Sequence, residues 1–178
     1  MIGRQAVAGE SQAELADQLA RFFAEHYDRL VRLAALVCHN SASVEDAVQA
    51  ALEQAWKRRH TLHDRTRIRP WLDQIVVRES IRMNRRPWWA RFARPEPGEP
   101  ALANVRDRRN NPDSDLVALA IGLRKLPAEQ RVVVALHLYE GYSVEETAQM
   151  TGTGVETTRS RLRLARQRLR RELSEDEQ

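Results

Sequence analysis

The sequence predicts an all-α fold: two small helical domains joined by a Pro-rich linker, the C-terminal one containing a helix-turn-helix. Three observations carry this. Apolar residues recur at spacings of three and four along most of the chain. No stretch alternates with a period of two, so no strand signal exists. A proline-dense stretch at 87–112 interrupts the helical pattern, and 178 residues suffice for a small domain on either side of it. The expected organisation is a disordered tail at 1–14, a first domain at 15–86, the linker at 87–112, a second domain at 113–173 and an acidic tail at 174–178.

In the first domain, Leu15, Leu19, Phe22, Phe23, Tyr27, Leu30, Leu33, Ala34 and Val37 form one stripe of a long helix. Asn40 and Ser41 end it. Ser43 opens S-V-E-D, a start resembling a capping box. The second helix is expected to bury Val44, Ala47, Val48, Ala51, Leu52, Ala55 and Trp56, with Glu45, Gln49, Glu53 and Lys57 outward. Residues 59–69 follow neither period and read as a loop. Pro70 suits the first turn of a third helix, where a missing amide hydrogen costs nothing. That helix directs Trp71, Leu72, Ile75, Val76 and Met83 inward, presents Arg78, Arg82, Arg85 and Arg86 outward, and stops at Pro87. Trp88 and Trp89 open the linker, either as anchors for a partner or packed back on the first domain.

The second domain starts with a short stripe of Leu116, Leu119, Ala120 and Leu123. Pro127 opens the next helix, which carries Val132, Val133, Leu136 and Tyr139 inward and stops at Gly141. Ser143 and Glu146 then form a capping box for a helix that ends at Gly152. Val155, Thr158, Leu162, Ala165 and Leu169 line one face of the last helix. Small Ala148 followed four residues later by Gly152 is the grammar of a helix-turn-helix, whose turn needs a left-handed residue.

Net charge is +4, unevenly spread. Positions 1–56 hold four arginines against eight acidic residues. Positions 57–91 hold eleven Lys/Arg against three carboxylates, and 155–171 hold seven Arg against Glu156 alone. Two separated basic segments on helices point to a polyanion. On the last helix, Thr157, Arg159, Ser160, Arg163, Arg166 and Arg170 face away from the buried stripe. Arginine pairs bidentately with guanine in the major groove, and serine bonds either kind of base. Arg161 joins the same candidate surface for duplex DNA.

Cys38 is the one cysteine, which excludes an internal disulfide and a thiolate metal cage. No run approaches the ~20 apolar residues of a membrane span, and no signal-peptide core is present, so a cytoplasmic location without membrane insertion is expected. No Gly-rich phosphate loop or nucleophile motif occurs. His26, His39, His60, His63 and His137 show no metal-ligand spacing, and the sequence asks for no cofactor.

Taken in order, three stretches resemble bacterial sigma factors of the extracytoplasmic-function type, over about residues 20–172. SVEDAVQAALEQAW is similar to region 2.2, which implies docking of Glu45, Asp46, Gln49 and Glu53 on the clamp of the largest subunit of RNA polymerase core. RPWLDQIVVRESIRMNRR is similar to the helix that handles the −10 element, with its W-L-x-x-I signature. LRKLPAEQRVVVALHLYEGYSVEETAQMTGTGVETTRSRLRLARQRLRREL is similar to region 4, which binds the −35 element and the flap of the second polymerase subunit. The resemblance also implies an anti-sigma factor.

Reading sequence in a melted strand requires a base to leave the stack and enter a pocket. The expected rim is the loop Leu62–Ile68 with Trp71, comprising Leu62, His63, Thr66 and Arg67, with Arg78 beside it. Lys57, Arg58, Arg59 and Arg82 are placed to hold phosphates, which fix register but carry little sequence information. Three departures from the family pattern stand out. Arg78 takes a position often held by Asn, pointing to altered −10 base preference. Thr153 and Thr158 replace buried Val or Ile, which is expected to weaken the second domain. Gly154 replaces Ser at the last N-cap, costing a few tenths of a kcal/mol. A free-standing helix-turn-helix regulator is the alternative, and the acidic helix followed by a basic loop-helix argues against it.

Overall fold

The computed structural model describes residues 3–84 and 114–175; the linker, Trp88, Trp89, Arg85 and Arg86 lie outside the described residues. Among the described residues every regular element is helical. The first three helices are α1 (Gly3–Val37), α2 (Val44–Arg58) and α3 (Ile68–Asn84). The second four are α4 (Ser114–Arg124), α5 (Ala128–Val134), α6 (Val144–Thr151) and α7 (Val155–Glu175).

α1 begins at Gly3, where the sequence reading places a disordered tail through residue 14. Residues 3–14 contain no proline and three alanines, which propagate a helix already nucleated downstream. α1, α2 and α3 pack on each other through Leu30, Leu33, Val37, Val44, Val48, Leu72 and Val76, all essentially without solvent exposure. Two hydrogen bonds fasten the end of α1 to the end of α3: Asn84 Nδ2 donates to the Val37 carbonyl at 3.1 Å, and the His39 amide donates to Asn84 Oδ1 at 2.7 Å. One side chain thereby satisfies both a helix C-terminal carbonyl and the amide that follows it.

The expected cap at Ser43 is absent. Its hydroxyl makes no capping bond, because a 310 turn at Ser41–Ser43 precedes α2 and Asn40 caps that turn instead, accepting from the Ala42 amide at 3.1 Å. Trp56 also departs from expectation, being 43% exposed. Small Ala51 and Ala55 already fill the α2 seam, and the indole lies on the surface under the Arg59 guanidinium, 5.1 Å from the ring centre. Leu119 and Tyr139 are outward too, since the helix face they were assigned to is not the one its neighbours cover.

α5 does not end as a regular helix. Residues Ala135–Tyr139 form a π turn, in which the Glu140 amide donates to the Ala135 carbonyl at 3.0 Å. Gly141, at φ 81°, then reverses the chain, as its position after the apolar pattern predicts. The wider turn rotates Tyr139 outward. His137 Nδ1 lies 2.7 Å from the Tyr142 carbonyl and tightens the reversal.

Both halves share one continuous apolar core. Leu30 to Cys38, with Arg32 the sole polar interruption, is buried on every side except at that arginine, because α2 and α3 cover one face and α4 and α5 the other. A helix that is apolar all round is one covered all round.

Candidate nucleic-acid interface

The helix-turn-helix forms where the sequence places it. Ser143 Oγ accepts from the Glu146 amide at 3.0 Å while Glu146 Oε2 accepts from the Ser143 amide at 2.8 Å, a complete capping box at the start of α6. These bonds hold the Glu146 carboxyl below the usual carboxylate range. Gly152 takes the left-handed conformation, φ 67° and ψ 32°, between α6 and α7. Buried Thr158 and half-buried Thr153 are both partnered: Thr158 Oγ1 bonds the Gly154 carbonyl at 3.2 Å and Thr153 Oγ1 at 3.0 Å, and Thr153 Oγ1 bonds Thr151 Oγ1 at 2.9 Å. A closed hydroxyl chain replaces the apolar packing expected there, which removes the main penalty of burying polar atoms.

On α7, Leu162 and Ala165 are buried, while Thr157, Arg159, Ser160, Arg163, Arg166 and Arg170 are exposed and Arg161 is half-buried. Arg159 is engaged locally, at 2.5 Å from Glu156 and 3.4 Å from Glu145. These carboxylates are solvent-exposed, so exchanging them for another anion costs little.

The second site lies at the first domain. A 310 turn at Arg59–Thr61, an Asp64-capped turn at Arg65–Arg67 and the start of α3 enclose a cleft of about 360 Å³. Thr61, Leu62, His63, Asp64 and Arg67 line it from the loop, Pro70, Trp71 and Gln74 from α3, and Gln149 and Met150 from α6. The cleft holds four of the loop-and-helix residues expected at such a pocket: Leu62, His63, Arg67 and Trp71. Leu62 is a buried wall rather than an exposed rim, because it packs with Leu19 and Ile68. Thr66 is outside the lining. Its hydroxyl donates to Asp64 Oδ1 at 2.6 Å and its amide to the same oxygen at 2.9 Å. Those two bonds keep the Asp64 carboxyl below its ordinary range, the hydroxyl contributing most. Thr66 therefore shapes the loop.

Arg78 and Arg82 lie outside the cleft lining, exposed and one turn apart on α3, and Arg82 pairs with Glu79 at 2.6 Å. Lys57 and Arg58 are exposed at the end of α2. Glu45, Asp46, Gln49 and Glu53 are all exposed along one face of α2, with Lys57 Nζ 3.8 Å from Glu53. Trp56 extends this face by one turn, a residue that its apolar character alone assigned to the core.

The sequence reading missed a polar cluster between the halves. Asp73, fully buried on α3, accepts from Arg29 at 2.6 and 3.0 Å and from the Tyr142 hydroxyl at 2.6 Å. Glu140 Oε2 accepts from Arg29 at 2.8 Å and from Arg69 at 2.9 Å. Desolvation and the Asp73 carboxylate push the Tyr142 phenol well above its ordinary value, so it stays a donor. The signal was a lone aspartate amid the apolar positions of α3. Nearby, Arg131 is 3% exposed and bonds His39 Nδ1 at 3.1 Å. It sits at the end of α1, where the helix dipole favours a cation. Burial lifts the Cys38 thiol to about 11, which keeps it protonated and unreactive.

No helix among the described residues is long and apolar enough to cross a membrane, and no group of three or more His, Cys, Asp or Glu among them is placed to hold a metal.

A helix-turn-helix with a cationic outer face, joined to a helical domain with a cleft behind a basic loop, is the architecture of a DNA-binding protein. Comparison with known proteins places it further. Residues 22–90 match the family described as sigma-70 region 2, and residues 122–169 match sigma-70, region 4. The chain is 34% identical over 167 residues to the ECF RNA polymerase sigma factor SigM of Mycobacterium tuberculosis, covering 93% of this chain and 79% of that one. It is 31% identical over 147 residues to the RNA polymerase sigma-E factor of Streptomyces coelicolor, covering 82% and 80%. Among solved structures it resembles CnrH in complex with the cytosolic domain of CnrY, with TM-score 0.64, 25% identity and coverage of 97% and 95%. The fold also resembles the sigma factor RpoE bound to the anti-sigma factor NepR from Bartonella quintana, with TM-score 0.60 and 22% identity, covering 93% of this chain and 97% of that one. The chain belongs to the RNA polymerase sigma factors of the extracytoplasmic-function type.

Proposed function

We propose that this sigma factor reads the −35 element with α7 and captures an unstacked −10 base in the cleft behind loop 61–67. The single observation that carries the reading is that cleft: a walled space beside Trp71, edged by His63, Asp64, Arg67 and Gln74, on the domain that resembles region 2. A flipped base requires an aromatic or apolar wall and polar atoms at its edge. Trp71 and Leu62 supply the wall, and His63, Asp64, Arg67 and Gln74 the edge. Lys57, Arg58, Arg78 and Arg82 hold phosphates on either side.

The exposed acidic face of α2, with Trp56 at its end, docks on the clamp of the polymerase, and the helix-turn-helix domain reaches the flap. The chain itself performs no catalysis; polymerase supplies the chemistry. It works in the cytoplasm. Its partners include an anti-sigma factor, as for the structural relative RpoE, solved with the anti-sigma factor NepR.

Permanganate footprinting of polymerase complexes on a promoter tests the cleft. Trp71→Ala with His63→Ala is expected to lower reactivity of the melted −10 thymines at least about tenfold while closed-complex binding changes by less than about threefold. Wild-type reactivity in that variant would place the pocket elsewhere.

A further inference from the structure

Leu164 is 38% exposed in the middle of α7 and belongs to neither apolar core cluster. Lone exposed leucines are common on protein surfaces and ordinarily need no explanation. This one differs in its surroundings: between Val155 and Arg171 it is the one exposed residue without a polar side chain.

The helical period sorts α7 into rows. Thr158, Leu162, Ala165 and Leu169, at spacings of four, three and four, make the inward row, with the first three buried. Arg159, Arg163, Arg166 and Arg170 repeat that spacing one residue on. Ser160, Leu164, Gln167 and Arg171 repeat it two residues on. At about 100° per residue the third row stands roughly 200° around from the first, along the outermost line of the helix. The arginine row flanks that line on one side, and Arg161 and Arg168 flank it on the other.

A helix laid in the major groove turns its outermost line to the base edges and its flanks to the two walls of phosphate. Arginines on both flanks suit those walls, and the long Arg163 side chain also reaches inward to a base. The outermost line differs in kind, with a hydroxyl, a leucine and an amide before Arg171. Leucine offers no hydrogen bond. Facing guanine it leaves the N7 and O6 acceptors unpaired, and facing cytosine it leaves the amine unpaired. Thymine alone presents a methyl group in this groove.

We propose that Leu164 is a specificity-determining residue for the −35 element, packing on the 5-methyl of one thymine and excluding a G·C pair at that position. This rests on the −35 reading above and adds a base preference to it. Gln167, on the same line, carries the amide that pairs with adenine N6 and N7, so the line favours A·T pairs.

Deoxyuridine in place of thymine removes the methyl group and nothing else. Duplex promoters selected from a pool randomised over the −35 element are titrated with polymerase carrying the full chain. The selected sequence is expected to hold one thymine whose replacement by deoxyuridine weakens wild-type binding about fourfold, the worth of one buried methyl group, and weakens Leu164→Ala binding less than about 1.5-fold. At every other thymine the two proteins are expected to respond alike. A G·C pair at the sensitive position is expected to cost wild type at least about tenfold. Because Leu164 lies outside the core, Leu164→Ala is expected to keep its helicity and its affinity for core polymerase. A selected −35 element without thymine, or deoxyuridine losses equal in both proteins at every position, overturns the contact and leaves the −35 reading standing. Weaker core binding by Leu164→Ala without any deoxyuridine effect assigns the leucine to polymerase and overturns it too. Binding indifferent to sequence throughout the −35 duplex overturns the −35 reading along with it.

Discussion

On the proposed reading, Arg163 and Arg170 divide two tasks, base contact and phosphate contact, on one helix. Both are exposed on α7, Arg163 nearer the helix start, and Arg170 two turns beyond it. A recognition helix meets base edges with its early residues and passes the backbone with its later ones. Arg163→Ala is therefore expected to relax preference at one −35 position about tenfold or more, corresponding to roughly 1.4 kcal/mol per decade. Arg170→Ala is expected to weaken every sequence alike and to lower the salt slope by about one unit. Titrations against single-base promoter variants at several salt concentrations separate the two. Equal loss on all sequences for Arg163→Ala would move the reading face. The composition of this helix revealed the face; the local pairing of Arg159 with Glu145 and Glu156 did not show in the sequence, because Glu145 reaches it only through the helix-turn-helix crossing.

At the scale of an element, α6 is short, eight residues, and depends on its ends. The capping box supplies its start, and the left-handed Gly152 its stop. Ser143→Ala is expected to cost about 1 kcal/mol of domain stability, measured by chemical denaturation of the full chain. The same box makes a pH dependence. Glu146 titrates lower in the folded chain than unfolded, so its contribution is present above the ordinary carboxylate value and is lost as pH falls through the folded one. Glu146→Gln should flatten the acid side of a stability–pH curve, and an unchanged curve would remove Glu146 from the cap. The S-V-E-D start of α2 carried a similar signature and formed no side-chain cap, because Asn40 caps the preceding 310 turn and Ser43 is drawn into it. Capping patterns in sequence are bids for amides, and the preceding turn decides which bid succeeds.

At the scale of the whole molecule, the acidic face of α2 is exposed while Gln149 and Met150 of α6 close one side of the cleft, so the proposed polymerase contact on α2 is open to a partner in this arrangement. Asp46→Arg with Glu53→Arg is expected to weaken core binding at least about tenfold with unchanged helicity, read by fluorescence titration. Unaltered affinity would put the docking face elsewhere.

Helix existence, the helix-turn-helix, its cationic face and the acidic α2 face were all determined by the sequence alone, because each depends on residues within a few turns of one another. The all-apolar run from Leu33 to Cys38 even carried a trace of the second docking face, since a single stripe would have needed half as many apolar positions. Tertiary structure alone decided where Asp73, Glu140 and Tyr142 meet, that Trp56 lies outside the core, and that α6 covers the cleft. Asp73 and Tyr142 are 69 residues apart. A buried charge finds its partners through the packing of whole helices, and no local period encodes that meeting.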